Sequence, residues 1–80
     1  MVRDQMVTAV LVSFEDDGVL AMPSEPIDLN KLIGKKVIYK DYKDKEWLGY
    51  VVEIVGTFVK IKFNGNPDGL GQGVIMDILD

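Results

Sequence analysis

At 80 residues, 28% of them charged and 48% hydrophobic, with a formal charge of −4, the chain makes one domain with a thin core. A domain of this size buries only about 60–65% of the surface its unfolded chain exposes, and a ligand pocket of about 300 Å³ or more would consume much of that core. Cysteine and histidine are both absent, which excludes disulfides, thiol nucleophiles, thiolate metal centres and imidazole acid–base or metal-ligand chemistry.

The acidic total hides a division along the chain. Residues 1–30 carry one arginine against six carboxylates, residues 31–62 carry eight lysines against four, and residues 63–80 add three carboxylates. If the fold sends these segments to different sides, one face attracts anions; if their strands alternate in space, the charges neutralise one another. Met1 to Gln5 holds no basic region leading into an apolar stretch, and no apolar run approaches the ~18 residues of a membrane span. A soluble, cytoplasmic protein is expected.

Met6 to Phe14 is an apolar, β-branched run with apolar residues on both parities, expected of a central strand covered on both faces. Asp16-Asp17-Gly18 supplies an Asp-Gly turn that accepts positive φ, and Val19 to Met22 returns as the partner strand. Pro23 and Pro26 end that pairing because neither can donate a ladder hydrogen bond. Asp28 to Ile33 is long enough for one or two helical turns, with Asp28 as N-cap and Gly34 as stop.

Lys36 to Lys40 is extended, Asp41 to Lys45 is a charged loop, and Trp47 to Val55 is the longest strand, with Leu48, Tyr50, Val52 and Ile54 on one face. Gly56-Thr57 fits a Gly-first two-residue turn. Phe58 to Phe63 then alternates, sending Val59, Ile61 and Phe63 inward and Lys60 and Lys62 outward. Asn64 to Gly73 holds four of the eight glycines and reads as a loop before a final strand, Val74 to Leu79. The pattern predicts an all-β fold, a small single-domain β-barrel over residues 1–80. It has five or six mostly antiparallel strands and one short helical turn near residues 28–33.

Leu32-Ile33-Gly34-Lys35-Lys36-Val37-Ile38-Tyr39, a short polar loop, Leu48 through Gly56 and then Val59-Lys60-Ile61-Lys62 resemble the barrel subunit of the H/ACA guide-RNA ribonucleoproteins. The likeness covers about half the chain, flanked by a similar opening hairpin at Val10 to Met22. SH3-like and PRC-type small barrels share the Leu-Ile-Gly-Lys-Lys-Val start. The resemblance implies a subunit that docks onto a partner protein, and so interaction rather than catalysis.

Three constellations carry candidate chemistry. Lysines interleave with aromatics at Tyr39, Lys40, Tyr42, Lys43, Lys45 and Trp47, followed by Lys60 and Lys62. Lysines neutralise phosphates while exposed aromatic faces stack on bases, so the pattern suits RNA or a ribonucleoprotein. The alternative is that Tyr39 and Trp47 pack in or over the core while the lysines deter edge-to-edge pairing. A partner-binding role for this set requires Trp47 to be at least partly exposed.

The second constellation, Asn64-Gly65-Asn66-Pro67-Asp68-Gly69, follows the opening of a calcium loop, with Asn64, Asn66 and Asp68 as candidate ligands. The twelfth position is Ile75 instead of a bidentate glutamate, and Asp16 and Asp17 form a weaker second candidate. An ordinary turn rich in Asn-Gly and Asp-Gly explains the same residues. The third, Gly69-Leu70-Gly71-Gln72-Gly73, leads into a strand rather than a helix and lacks a following Lys-Ser or Lys-Thr pair, so it reads as a flexible loop.

Carboxylate pairs such as Asp16 with Asp17 or Asp41 with Asp44 fall in turns, where solvent is expected to hold their pKa values near ordinary ones. The sequence therefore points to a non-catalytic interaction module that needs no cofactor and binds a protein or ribonucleoprotein partner. The alternative is a small calcium-binding protein. A homodimer formed by pairing an open sheet edge is left open.

Overall fold

The computed structural model describes residues 6–79. The reading of Met1 to Gln5 and the charges of Arg3, Asp4 and Asp80 lie outside them. Six strands, β1 (Met6–Glu15), β2 (Gly18–Pro23), β3 (Lys36–Lys40), β4 (Glu46–Val55), β5 (Phe58–Phe63) and β6 (Ile75–Leu79), close into one barrel in the order β1-β2-β5-β4-β3-β6. Every pairing is antiparallel. Among the described residues closure leaves no sheet edge open, so the edge-pairing route to a homodimer has nothing to extend there.

The interior is built by alternation. Val7, Ala9 and Leu11 of β1, Val19 and Ala21 of β2, Val37 and Tyr39 of β3, Val51 of β4, Val59 and Ile61 of β5, and Met76 and Ile78 of β6 form the buried cluster. At one end Leu29–Leu32 forms a 3-10 turn, capped by Asp28, whose carboxylate accepts from the Asn30 amide at 3.1 Å. Leu32 is 2% exposed and plugs that end. Gly34 then turns the chain at φ +85, and its amide donates to the Val51 carbonyl at 2.8 Å.

Three expectations need correction. β1 is not covered on both faces: Thr8 is exposed and Val10 and Val12 are only half-buried, because in a barrel each strand has one interior face. The face of Leu48, Tyr50, Val52 and Ile54 is broken. A bulge at Val52 shifts the register between Val51 and Glu53, so Tyr50 and Val52 point outward while Ile54 packs against the core. Gly18 does not supply positive φ, since the turn is Asp16-Asp17. Gly18 is required because a Cβ there would lie 2.5 Å from the Ile61 carbonyl oxygen of β5.

Candidate interaction surface

The antiparallel order gathers the β1–β2 turn, the 41–45 loop and the 64–74 loop at one end of the barrel, opposite the Leu32 plug. The 41–45 loop is organised by one side chain. The Asp41 carboxylate accepts from the Lys43 amide at 2.8 Å and the Lys45 amide at 3.0 Å through Oδ1, and from Trp47 Nε1 at 3.0 Å through Oδ2. The Asp41 amide donates to the Lys45 carbonyl and the Asp44 amide to the Asp41 carbonyl, both at 2.9 Å. Asp44 takes φ +65 to complete the turn.

Asp41 is 5% exposed. The hydrogen bond from Trp47, then those from the Lys45 and Lys43 amides, outweigh partial desolvation and hold its carboxyl below the usual carboxylate range. This corrects the expectation of an ordinary, solvent-governed turn aspartate.

The 64–69 segment locks onto this loop. Tyr39 donates its hydroxyl proton to the Asp68 carbonyl at 3.1 Å, and its ring meets Phe63 edge-on at 6.4 Å. Gly65 lies against the Trp47 ring, and Gly69 against the Tyr39 hydroxyl and Tyr42. Both glycines hold positive φ, +105 and +76, so side chains there would be strained as well as crowded. Burial, and then the charges of Asp41 and Asp68, push the Tyr39 hydroxyl pKa upward.

The lysine–aromatic set divides in two. Tyr42 projects at the loop tip, 76% exposed, with Lys43 Nζ 5.4 Å from its ring centroid. Lys40 and Lys45 are exposed beside it, and Trp47 is half-buried, its ring carrying Lys45 Nζ at 4.2 Å. Trp47 thus meets the requirement of partial exposure. Tyr39 is buried, and its ring is unavailable to a partner.

Lys60 and Lys62 stand apart on the outer wall of β5. Closure puts β5 next to β2, and Asp17 reaches across to Lys60 at 2.7 Å and Lys62 at 3.8 Å. Here the acidic and basic segments neutralise each other. Among the described residues Lys40, Lys43 and Lys45 make no ion pair.

The Lys60 hydrogen bond lowers the Asp17 pKa, and Asp17 raises that of Lys60. Asp17 therefore also departs from the ordinary value expected of it. Because the Asp17 side chain is 54% exposed, Asp17→Asn is expected to move the thermal midpoint by no more than roughly 3 °C, checked by circular dichroism. Both shifted carboxylates are ionised at neutral pH and are poor proton donors there.

Asn64, Asn66 and Asp68 lie along the exposed face of the 64–69 segment. The Asp68 carbonyl is taken by Tyr39, and the Asn64 amide donates to the Leu48 carbonyl at 2.8 Å. Among the described residues no three acidic side chains gather as a metal cage, and no helix is long and apolar enough to cross a membrane. No protein-family model matches the chain, and no similar curated protein is found.

Sequence reasoning missed Asp41. The signal was present: an aspartate opening a short loop, with amides two and four residues on, is the pattern of an Asx turn.

Proposed function

We propose that the protein is a non-catalytic, cytoplasmic interaction module that docks a protein or ribonucleoprotein partner through the loop end centred on Tyr42. One observation carries this reading. A loop fixed by three hydrogen bonds to Asp41 displays an aromatic side chain that is 76% exposed, flanked by Lys43 and Lys45. Binding energy concentrates in aromatic and cationic anchors, and an ordered loop loses less conformational freedom when the partner arrives.

A protein surface fits this end better than single-stranded RNA does. RNA grooves align successive aromatic platforms, whereas Tyr39 is buried and Trp47 is engaged by Lys45 and Gly65, which leaves Tyr42. The kinship with the barrel subunit of the H/ACA ribonucleoproteins belongs to the same proposal and rests on the sequence layout. No arrangement in the 64–69 loop favours calcium over this reading.

The test compares tagged wild type with Tyr42→Ala/Lys43→Ala in source-cell extract, using quantitative mass spectrometry with and without ribonuclease. Recovery of at least one protein is expected to fall about tenfold or more in the variant, with its thermal midpoint unchanged. Equal recovery of every protein by the two forms would overturn the proposal. Ribonuclease removal of all captured protein would redirect it to RNA.

A further inference from the structure

We infer that a second surface, between the β1–β2 hairpin and the 64–70 loop, receives a partner peptide carrying a large apolar side chain flanked by lysine or arginine. An open cleft of about 520 Å³ runs there between the β1–β2 hairpin and the 64–70 loop. That volume lies within the range of about 300–1,000 Å³ typical of ligand sites. Its lining combines apolar with acidic side chains.

The apolar part of the lining includes Phe14, Phe63 and Leu70. Phe63 and Leu70 pack against the core, whereas Phe14 is 55% exposed. Its direction is set by the backbone. Unbroken alternation from Leu11 would send Phe14 to the outer wall, but a bulge at Val12 shifts the register. Phe14 therefore stands opposite Val19, which is 4% exposed and part of the core, and the two share the interior-facing side. The bulge turns a large aromatic side chain toward the cleft and leaves it uncovered, a side-chain re-aiming for which bulges are known.

The charged part of the lining fixes the charge of the occupant. Glu15, Asp16, Asp17 and Asp68 line the cleft, and among the described residues no lysine or arginine does. Lys60 and Lys62 approach from the β5 wall and are engaged by Asp17. Asp16 and Asp68 make no ion pair among the described residues. These carboxylates do not converge as a metal cage, so they suit cations spaced along a chain better than one ion. An apolar anchor with flanking cations is complementary to the apolar and the acidic parts of this lining.

The experiment is an amide NMR titration of the labelled full chain with four acetylated, amidated heptapeptides. Each has a central leucine, methionine, phenylalanine or tryptophan flanked by arginines. At least one is expected to give saturable shifts at residues 14–18 and 63–70, with Kd below about 1 mM. Replacing its central residue by glycine should abolish the shifts, and glutamate flanks should do the same. Phe14→Ser, at an exposed position, should weaken binding about tenfold or more. Asp16→Asn/Asp68→Asn should weaken it and flatten its dependence on salt.

The inference is overturned if none of the four peptides saturates, if the glycine peptide binds equally well, or if Phe14→Ser leaves affinity unchanged. Calcium alone producing the same shifts would also overturn it, as would self-association that occupies the cleft. The Tyr42 proposal is independent of these results, since its variants lie outside the cleft.

Discussion

Gly49→Ala is expected to destabilise the barrel by about 3 kcal/mol, lowering the thermal midpoint by roughly 15 °C. Gly49 is buried in β4 opposite Phe63 of β5. A Cβ at this position would lie 2.6 Å from the Lys62 carbonyl oxygen and 2.9 Å from Phe63 Cδ1. The first contact is with backbone, so relief requires the two strands to separate at the point where the loop end is anchored. Gly71→Ala is the control: nothing lies within 4 Å of its Cβ and its φ is not positive, so a change within about 0.5 kcal/mol is expected. Differential scanning calorimetry of both variants checks the pair. Equal midpoints would mean that β4 and β5 do not approach this closely.

The second large effect is expected at Asp41. Asp41→Ala removes the acceptor of the Trp47 indole N–H and of the Lys43 and Lys45 amides. A midpoint lower by roughly 10 °C and a changed Trp47 emission are expected. Asp41→Asn should recover part of the loss, because its amide oxygen can still accept from the backbone while its NH₂ confronts the indole donor.

The pH dependence has a definite sign. The folded pKa of Asp41 lies below its ordinary value of 3.8, so its contribution is fully present above that value and is lost as pH falls through the folded pKa. Wild type should therefore lose stability as pH falls below about 4, and Asp41→Asn should lose less over the same interval. Asp17, also lowered, acts in the same direction from an exposed position. Thermal melts of wild type, Asp41→Asn and Asp17→Asn across this range separate the two contributions.

What the sequence revealed and what it concealed have different physical origins. The β4–β5 hairpin was legible because Gly56-Thr57 requires a tight turn, with Gly56 at φ +62, and because Val59, Ile61 and Phe63 alternate with Lys60 and Lys62 without interruption. The Asp28 cap and the Gly34 stop were legible because each depends on neighbours within a few residues. The bulges at Val12 and Val52 were not, since one extra residue in a β-branched run leaves no compositional mark, yet each reverses the facing of all that follows.

Closure was equally hidden in its consequences. Lys60 and Lys62 pair with Asp17 only because β5 lies beside β2, a long-range contact between hairpins. The aromatic–lysine pattern located Tyr42, Lys43 and Lys45 correctly on one loop but could not show that Tyr39 is core or that Trp47 already holds Lys45. Phe14 belonged to no motif, and its position at the cleft follows from the bulge.

The most direct test of a docking role for the Tyr42 end is site-specific photo-cross-linking in living source cells. A photoreactive amino acid is placed at position 42 in one form and at position 57, on the exposed β4–β5 turn at the opposite end, in another. The expected result is a discrete protein adduct from position 42 that survives ribonuclease and is absent from position 57. Identical adducts from both positions, or none from position 42, would contradict the docking role of this loop end.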